Sequence, residues 1–251
     1  MSDERALNGR VAVVTGGSGG IGSAICRRLA SAGARVVLTY RQNENAAQAV
    51  LAGLEGSGHT IARAQVDDSA ALQRLADQVA EKYRKVDLLV NNAGVTRPVP
   101  HDNLDDLDDD LIDQIFRVNW RGAFAATRAF KNLLMSGDGG LIVNISSVAA
   151  VTGLGSNVAY CASKAALDSM TRSLARALAP KIRVVSVAPG WVEGEYAKRM
   201  APAIIAEQKL KTPLERIARA EDVADAVLAV ATLLTFSTGC IIPVDGGRPL
   251  G

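Results

Sequence analysis

The chain is poor in the residues that hold small stapled or metal-bound proteins together. Its three cysteines, Cys26, Cys161 and Cys240, are odd in number and far apart, which excludes a disulfide scaffold or a zinc knuckle. With His59 and His101 as its only histidines, a His-rich metal site is not expected, and no metal is assigned. Charge of one sign is lacking too: 28 Lys and Arg stand against 26 Asp and Glu, a formal +2. Nucleic acid and anionic membrane call for a strong basic excess, so neither is expected as the main partner. No apolar run reaches the roughly 18 residues of a spanning helix. Met1-Ser2-Asp3-Glu4-Arg5 lacks the apolar stretch of a secretion signal, and a reducing cytoplasm is the expected setting. Proline is scarce at 8, and no Pro/Ser-rich linker, repeat or low-complexity block divides the chain.

What is present is apolar mass. Hydrophobic residues make up 48% of the 251, enough for a real core, and a single domain spanning 1–251 is expected. Short β-branched runs (11–15, 35–40, 60–66, 86–90, 141–146, 182–187 and 240–244) alternate with Ala/Leu-rich stretches of helical spacing (21–32, 70–84, 107–134, 159–179 and 222–234). Continuous apolar strands alternating with helices predict an α/β fold, a parallel sheet of about seven strands covered on both faces. Asp105, Asp106 and Asp108 to Asp110 crowd the start of the helix over 107–134, where carboxylates meet the positive end of the dipole. That acidic run reads as a solvated helix start rather than a cation site.

The 23 glycines cluster, most densely in Thr15-Gly16-Gly17-Ser18-Gly19-Gly20-Ile21-Gly22 after the first strand. Glycines let backbone N–H groups approach a pyrophosphate, and the following helix offers its positive end. Strand before and helix after point to a dinucleotide site. A mononucleotide loop is disfavoured, because Gly-Lys-Ser/Thr is absent. The second strand ends in Thr39-Tyr40-Arg41-Gln42, with no carboxylate before Glu44 to bind the ribose hydroxyls. Arg41 is either a partner for a 2′-phosphate, selecting NADP, or a surface arginine.

Tyr160 and Lys164 in Ala159-Tyr160-Cys161-Ala162-Ser163-Lys164 are four apart and share one helix face. Bringing a tyrosine with a pKa near 10 to neutrality asks for roughly 4 kcal/mol of preferential stabilisation of the phenolate, which a nearby ammonium can supply. The pair is therefore either a proton-transfer device or, as such spacing arises often by chance, a helix surface pair. Asn91-Asn92-Ala93-Gly94, Ser146-Ser147 and Pro189-Gly190 each end a predicted strand, on the rim where a ligand crevice forms. Cys161 has no histidine near it in sequence and reads as packing rather than as a nucleophile.

From Arg10 to Gly247 the sequence resembles the short-chain dehydrogenase/reductase family, in its 3-oxoacyl-carrier-protein-reductase-like branch. The matching motifs are Thr15-Gly16-x-x-x-Gly20-Ile21-Gly22, Asn91-Asn92-Ala93-Gly94, Asn119, Ser147, Tyr160-x-x-x-Lys164, Pro189-Gly190 and Val244-Asp245-Gly246-Gly247. The resemblance implies a Rossmann-type, doubly wound, seven-stranded sheet. It implies Tyr160 as general acid/base, with Ser147 bonding the substrate oxygen. Lys164 would bind the nicotinamide ribose and depress the Tyr160 pKa, and Asn119 would hold a water in a proton relay. The cofactor set it implies is Gly16, Ser18, Gly20, Ile21, Gly22, Tyr40, Arg41, Gln65, Val66, Asn92, Ala93, Gly94, Tyr160, Lys164, Pro189, Gly190 and Val192. NADP(H) is the preferred cofactor and NAD(H) the possible one, with hydride passing between nicotinamide and a carbonyl or secondary alcohol.

The sequence also departs from the family. Gln65 replaces an aspartate that touches adenine, Gly19 stands where NADP-preferring relatives carry a basic residue, and Gly194 replaces a threonine beside the cofactor amide. Substrate choice is expected in residues 96–100, 148–154 and a lid at 191–212 carrying Trp191, Tyr196 and Met200. Trp191 reads equally as substrate contact or as lid packing. Asp138, Glu193 and Glu195 have the wrong sign for an acidic carrier protein, so a small ketone or alcohol is the expected substrate. Family members pair the helices at 107–134 and 159–179, and a homotetramer is expected, with 241–244 as a second interface. A non-catalytic redox sensor or scaffold is the alternative function.

Overall fold

The computed structural model describes residues 5–194 and 200–250. Seven short strands form one wholly parallel sheet: β1 (Val11–Val14), β2 (Arg35–Tyr40), β3 (Thr60–Arg63), β4 (Leu88–Asn91), β5 (Gly140–Ile145), β6 (Ile182–Pro189) and β7 (Ile241–Val244). Their order is β3-β2-β1-β4-β5-β6-β7, and the register aligns Val14 with Leu38 on one side and Val90 on the other. The chain therefore winds outward from β1 in one direction and then, from β4, in the other. A crevice opens at the carboxyl ends where the direction reverses.

The strands are apolar along their whole length because both faces are covered. Successive side chains point to opposite faces, so Ala12 and Val14 join one core and Val11 and Val13 the other. On the first face, α1 (Gly20–Ser31) and α9 (Ala220–Thr232) contribute Ile25, Leu29, Val227 and Val230. On the second, α3 (Ser69–Tyr83) and α5 (Ala123–Met135) contribute Leu72, Val79, Phe130 and Leu134. Removing a fully buried side chain such as Phe130 costs about 3–5 kcal/mol, so this packing fixes the sheet rim on which the site is built.

The helix expected over 107–134 is three pieces. It starts as α4 (Asp109–Phe116), passes through a π turn (Arg117–Gly122), and continues as α5. The interruption has local causes. Asn119 is tied by its side chain to Val95, and Gly122 lies so close to Val66 that a Cβ there would sit 2.7 Å from its Cγ2. Asp108 caps α4 by accepting from Leu111 N at 2.7 Å and pairs with Arg97, so the acidic run is spent on the helix start. The strand expected over 60–66 stops at Arg63, since β3 is an edge strand that pairs with β2 alone. Three further helices were not visible in the apolar spacing: α2 (Glu44–Ala52), α6 (Ala149–Thr152) and α8 (Pro202–Leu210). The longest helix, α7 (Val158–Leu178), carries Tyr160 and Lys164.

Candidate active site

The glycine-rich turn between β1 and α1 is held by hydroxyls and an amide. Thr15 Oγ1 accepts from Asn92 N at 3.0 Å and Ala93 N at 3.1 Å, while Thr39 Oγ1 accepts from Gly16 N at 3.1 Å. Asn92 Nδ2 donates back to Thr15 O and Gly16 O, at 2.9 and 3.1 Å. The Asn92 side chain is thus a strut between two loops, not a free ligand contact. Gly16 has φ +64°, and a Cβ on Gly22 would lie 2.3 Å from Gly16 O, so both positions exclude other residues. Gly20 differs. A Cβ there would meet no protein atom within 4 Å, yet Gly20 lines the cavity. The space in front of it suits a group that approaches the backbone closely. Helix α1 starts there with no side-chain cap and no acidic residue in its first turn. Its leading N–H groups and positive dipole end therefore suit an anion such as a pyrophosphate.

The catalytic candidates come from β5 and α7. Asn157 caps α7: its Oδ1 accepts from Tyr160 N at 2.7 Å and its Nδ2 donates to Arg97 O at 2.7 Å. This buried residue fixes the first helical turn and ties it to the rim at 96–100. One turn on, Lys164 is buried, and its Nζ donates to Ile145 O at 2.8 Å and lies 5.7 Å from the centre of the Tyr160 ring. Burial pulls the Lys164 ammonium down to about 8, with Asp168 one turn further on opposing that shift. Ser147 is half-buried, and its Oγ accepts from Ala149 N at 3.2 Å, which leaves its proton available to a substrate oxygen. Ser146, its neighbour, is buried and donates instead to Lys164 O at 3.4 Å.

Asn119 stands behind this group. Its Oδ1 accepts from Val95 N at 2.8 Å, and its Nδ2 donates to Val95 O and to Ser163 Oγ. Three hydrogen bonds thus tie the side chain to the Val95 backbone and to Ser163. Gly94 is pinched between the two: a Cβ on it would lie 3.3 Å from Asn119 Oδ1 and 3.7 Å from Lys164 Nζ.

All the cofactor candidates line one cavity of about 890 Å³, together with Ser147; Asn119 does not. Asn91 does not reach it either, being buried in a polar chain in which it donates to Asn144, which donates to Thr171. Arg41 is exposed at the cavity's β2 end, and Arg63 Nε donates to its carbonyl at 3.3 Å. Trp191, Glu193, Gly194, Gln208 and Lys211 bring the lid to the opposite end, whereas Glu195 and Tyr196 lie outside the described residues. Asp68, three residues beyond Gln65, is a helix cap that accepts from Ala71 N at 2.9 Å. Sequence reasoning missed Thr39 and Asn157. The Asn before an apolar helical run was the signal for the second, whereas nothing local marks the first.

Residues 16–248 match the family model described as enoyl-(acyl carrier protein) reductase. Over 245 residues the chain is 38% identical to a Streptomyces violaceoruber protein described as a candidate ketoacyl reductase, numbered 2, of the granaticin polyketide synthase, covering 96% of each chain. It is 34% identical over 246 residues to the 3-oxoacyl-[acyl-carrier-protein] reductase of Aquifex aeolicus, covering 96% of this chain and 98% of that one. Among solved structures, a doubly substituted short-chain dehydrogenase/reductase of Serratia marcescens superposes with a TM-score of 0.89 at 34% identity, covering 97% of this chain and 99% of the other.

Proposed function

The chain belongs to the short-chain dehydrogenase/reductase family, a family of nicotinamide-dependent oxidoreductases, and from that premise we propose that it interconverts a carbonyl and a secondary alcohol with Tyr160 as general acid/base. One observation carries the reading: Ser147, Tyr160 and Lys164 line the same cavity as the uncapped start of α1 and the glycines before it. A retired dinucleotide sensor would have no need of that convergence, which favours an enzyme over a scaffold.

The bound nicotinamide supplies or accepts the hydride. The chain's own residues handle the oxygen and its proton. Ser147 donates a hydrogen bond to the substrate oxygen, and Tyr160 gives its hydroxyl proton to that oxygen during reduction and takes it back during oxidation. Lys164, held by Ile145 O, presents its ammonium near the Tyr160 ring and favours the phenolate. Asn119 acts by holding Val95 and Ser163 in place.

NADP(H) is the preferred cofactor in this proposal, because Arg41 stands at the β2 end of the cavity with no acidic residue before Glu44. A small ketone or alcohol is the substrate class, and the enzyme assembles as a homotetramer. Stacked Trp120 and Phe124, with ring centres 6.1 Å apart and each about a third exposed, supply an apolar face for that assembly. A panel of ketones and secondary alcohols, followed by the absorbance of reduced nicotinamide with both cofactors, tests the function. Turnover in at least one class is expected, and failure across the panel with either cofactor rejects it.

A further inference from the structure

The substrate end of the cavity carries charge that hydride transfer to a neutral ketone does not use. Among the described residues, the cations lining the cavity are Arg41, Lys164, Lys211 and Arg248. The first two have roles in the reading above, and this inference rests on that reading. Arg248 follows β7, which lies five strand spacings, about 24 Å, from β2 and the end that bears Arg41. It is therefore remote from an adenosine 2′-phosphate. The segment before it abuts the nicotinamide side instead: a Cβ on Gly190 would lie 3.1 Å from Asp245 Cα.

The backbone that presents Arg248 is pinned to the segment just after the lid and to itself. Leu214 N donates to Gly246 O at 3.2 Å, and Gly247 N donates to Asp245 Oδ1 at 2.8 Å. Its half-buried guanidinium donates through Nη2 to Gln208 Oε1 at 2.6 Å, and Gln208 is itself only 9% exposed. That acceptor is neutral and takes one of five donors, so the hydrogen bond holds the arginine in place and leaves donors for a further partner. Lys211, exposed on the same rim, is paired with Glu207, so the two together add no net charge. Among the described residues, the carboxylates of Glu193 and Glu207 stand near, and Glu207 also interacts with Arg248. Glu193 lines the cavity but is exposed and interacts with Arg216, while Glu207 is engaged by Lys211.

We propose that Arg248 binds a carboxylate on the substrate, so that the enzyme favours a small oxo acid, or the matching hydroxy acid, over a neutral ketone. A planar guanidinium with free donors matches a carboxylate in geometry as well as in sign. Glu193 at the rim disfavours an acidic carrier protein, whereas Asp138 precedes β5 at the far end of the sheet and does not bear on it.

The test compares a short-chain 3-oxo carboxylate with its uncharged methyl ester, using NADPH. The wild type should favour the acid by at least about tenfold in kcat/KM, as expected for a charge-assisted contact. Arg248→Gln should bring the ratio of acid to ester to about one, Arg248→Lys should keep most of it, and the KM for NADPH should stay constant. A wild-type ratio near one overturns the proposal without any variant. So does an Arg248→Gln enzyme in which acid and ester fall together, the mark of a purely structural role. A rise in the NADPH KM matching the loss on the acid assigns the cation to the cofactor and also overturns it. Turnover of the ester alone leaves the oxidoreductase function standing, whereas turnover of no carbonyl compound at all removes that function first.

Discussion

At the scale of single residues, the site depends on groups that the fold has made costly. The folded chain releases the Lys164 proton near pH 8 and the unfolded chain near 10.5, so the unfolded state binds more protons between those values. Stability should therefore rise with pH across that window, and below pH 8 the buried ammonium costs of order 3 kcal/mol. Lys164→Met should abolish turnover while raising Tm at pH 7 by a few degrees, read by calorimetry beside an activity assay. An unchanged or lower Tm would show that the hydrogen bond to Ile145 O outweighs the burial cost. Carbonyl reduction by the wild type should weaken as pH rises through about 8, when this ammonium is lost. At the other end of the cavity, Arg41→Ala should raise the KM for NADPH roughly tenfold or more and that for NADH much less, measured by initial rates. Equal losses would reject the 2′-phosphate contact. Tyr160, Lys164 and Ser147 could be singled out in the sequence through motifs that resemble the family's, and the fold brings all three to one cavity. Thr39 could not, since it acts through one backbone bond to Gly16 across 23 positions, and local pattern does not encode such a partner.

At the scale of elements, the strand-turn-helix unit contains glycines with two distinct jobs. Gly22 packs against Gly16 O within the protein, whereas Gly20 faces the cavity with nothing near it. Gly22→Ala should therefore destabilise the fold, because backbone must move to admit the methyl group. Gly20→Ala should leave Tm unchanged, or slightly raised by helix propensity, while weakening dinucleotide binding at least tenfold. Calorimetry and fluorescence titration with NADPH separate the two, and loss of stability in Gly20→Ala would deny the cavity-facing role. The strands were visible because burial on both faces makes them continuously apolar. The π turn at Arg117–Gly122 was not. It arises from tertiary ties of Asn119 to Val95 and of Gly122 to Val66, which periodicity within one segment cannot register. Helix α2 escaped for another reason: it is short, its apolar residues are mostly alanine with Ala47 and Val50 buried, and Asn43, which caps it through Ala46 N, was its one clear signal.

At the scale of the whole molecule, reversal of strand order at β1 and β4 opens the crevice, and the turns at its rim fill it with a cofactor cradle and a proton-transfer group. The lid at 191–212 was legible as a position but not as the helix α8, because its buried residue is the polar Gln208, bound to Arg248, while Ile204 and Leu210 are exposed and form no apolar stripe. Assembly has its own test: sedimentation equilibrium should give four times the 26.2 kDa chain mass, and Trp120→Glu should lower it. A wild-type monomer would reject the homotetramer. The central claim, that Tyr160 moves the proton at a nicotinamide site, is tested most directly by Tyr160→Phe, with turnover and NADPH affinity measured on one preparation. The account predicts that kcat falls by at least about a thousandfold while the dissociation constant for NADPH stays within a factor of about two. A Tyr160→Phe enzyme that turns over substrate as fast as the wild type would contradict it.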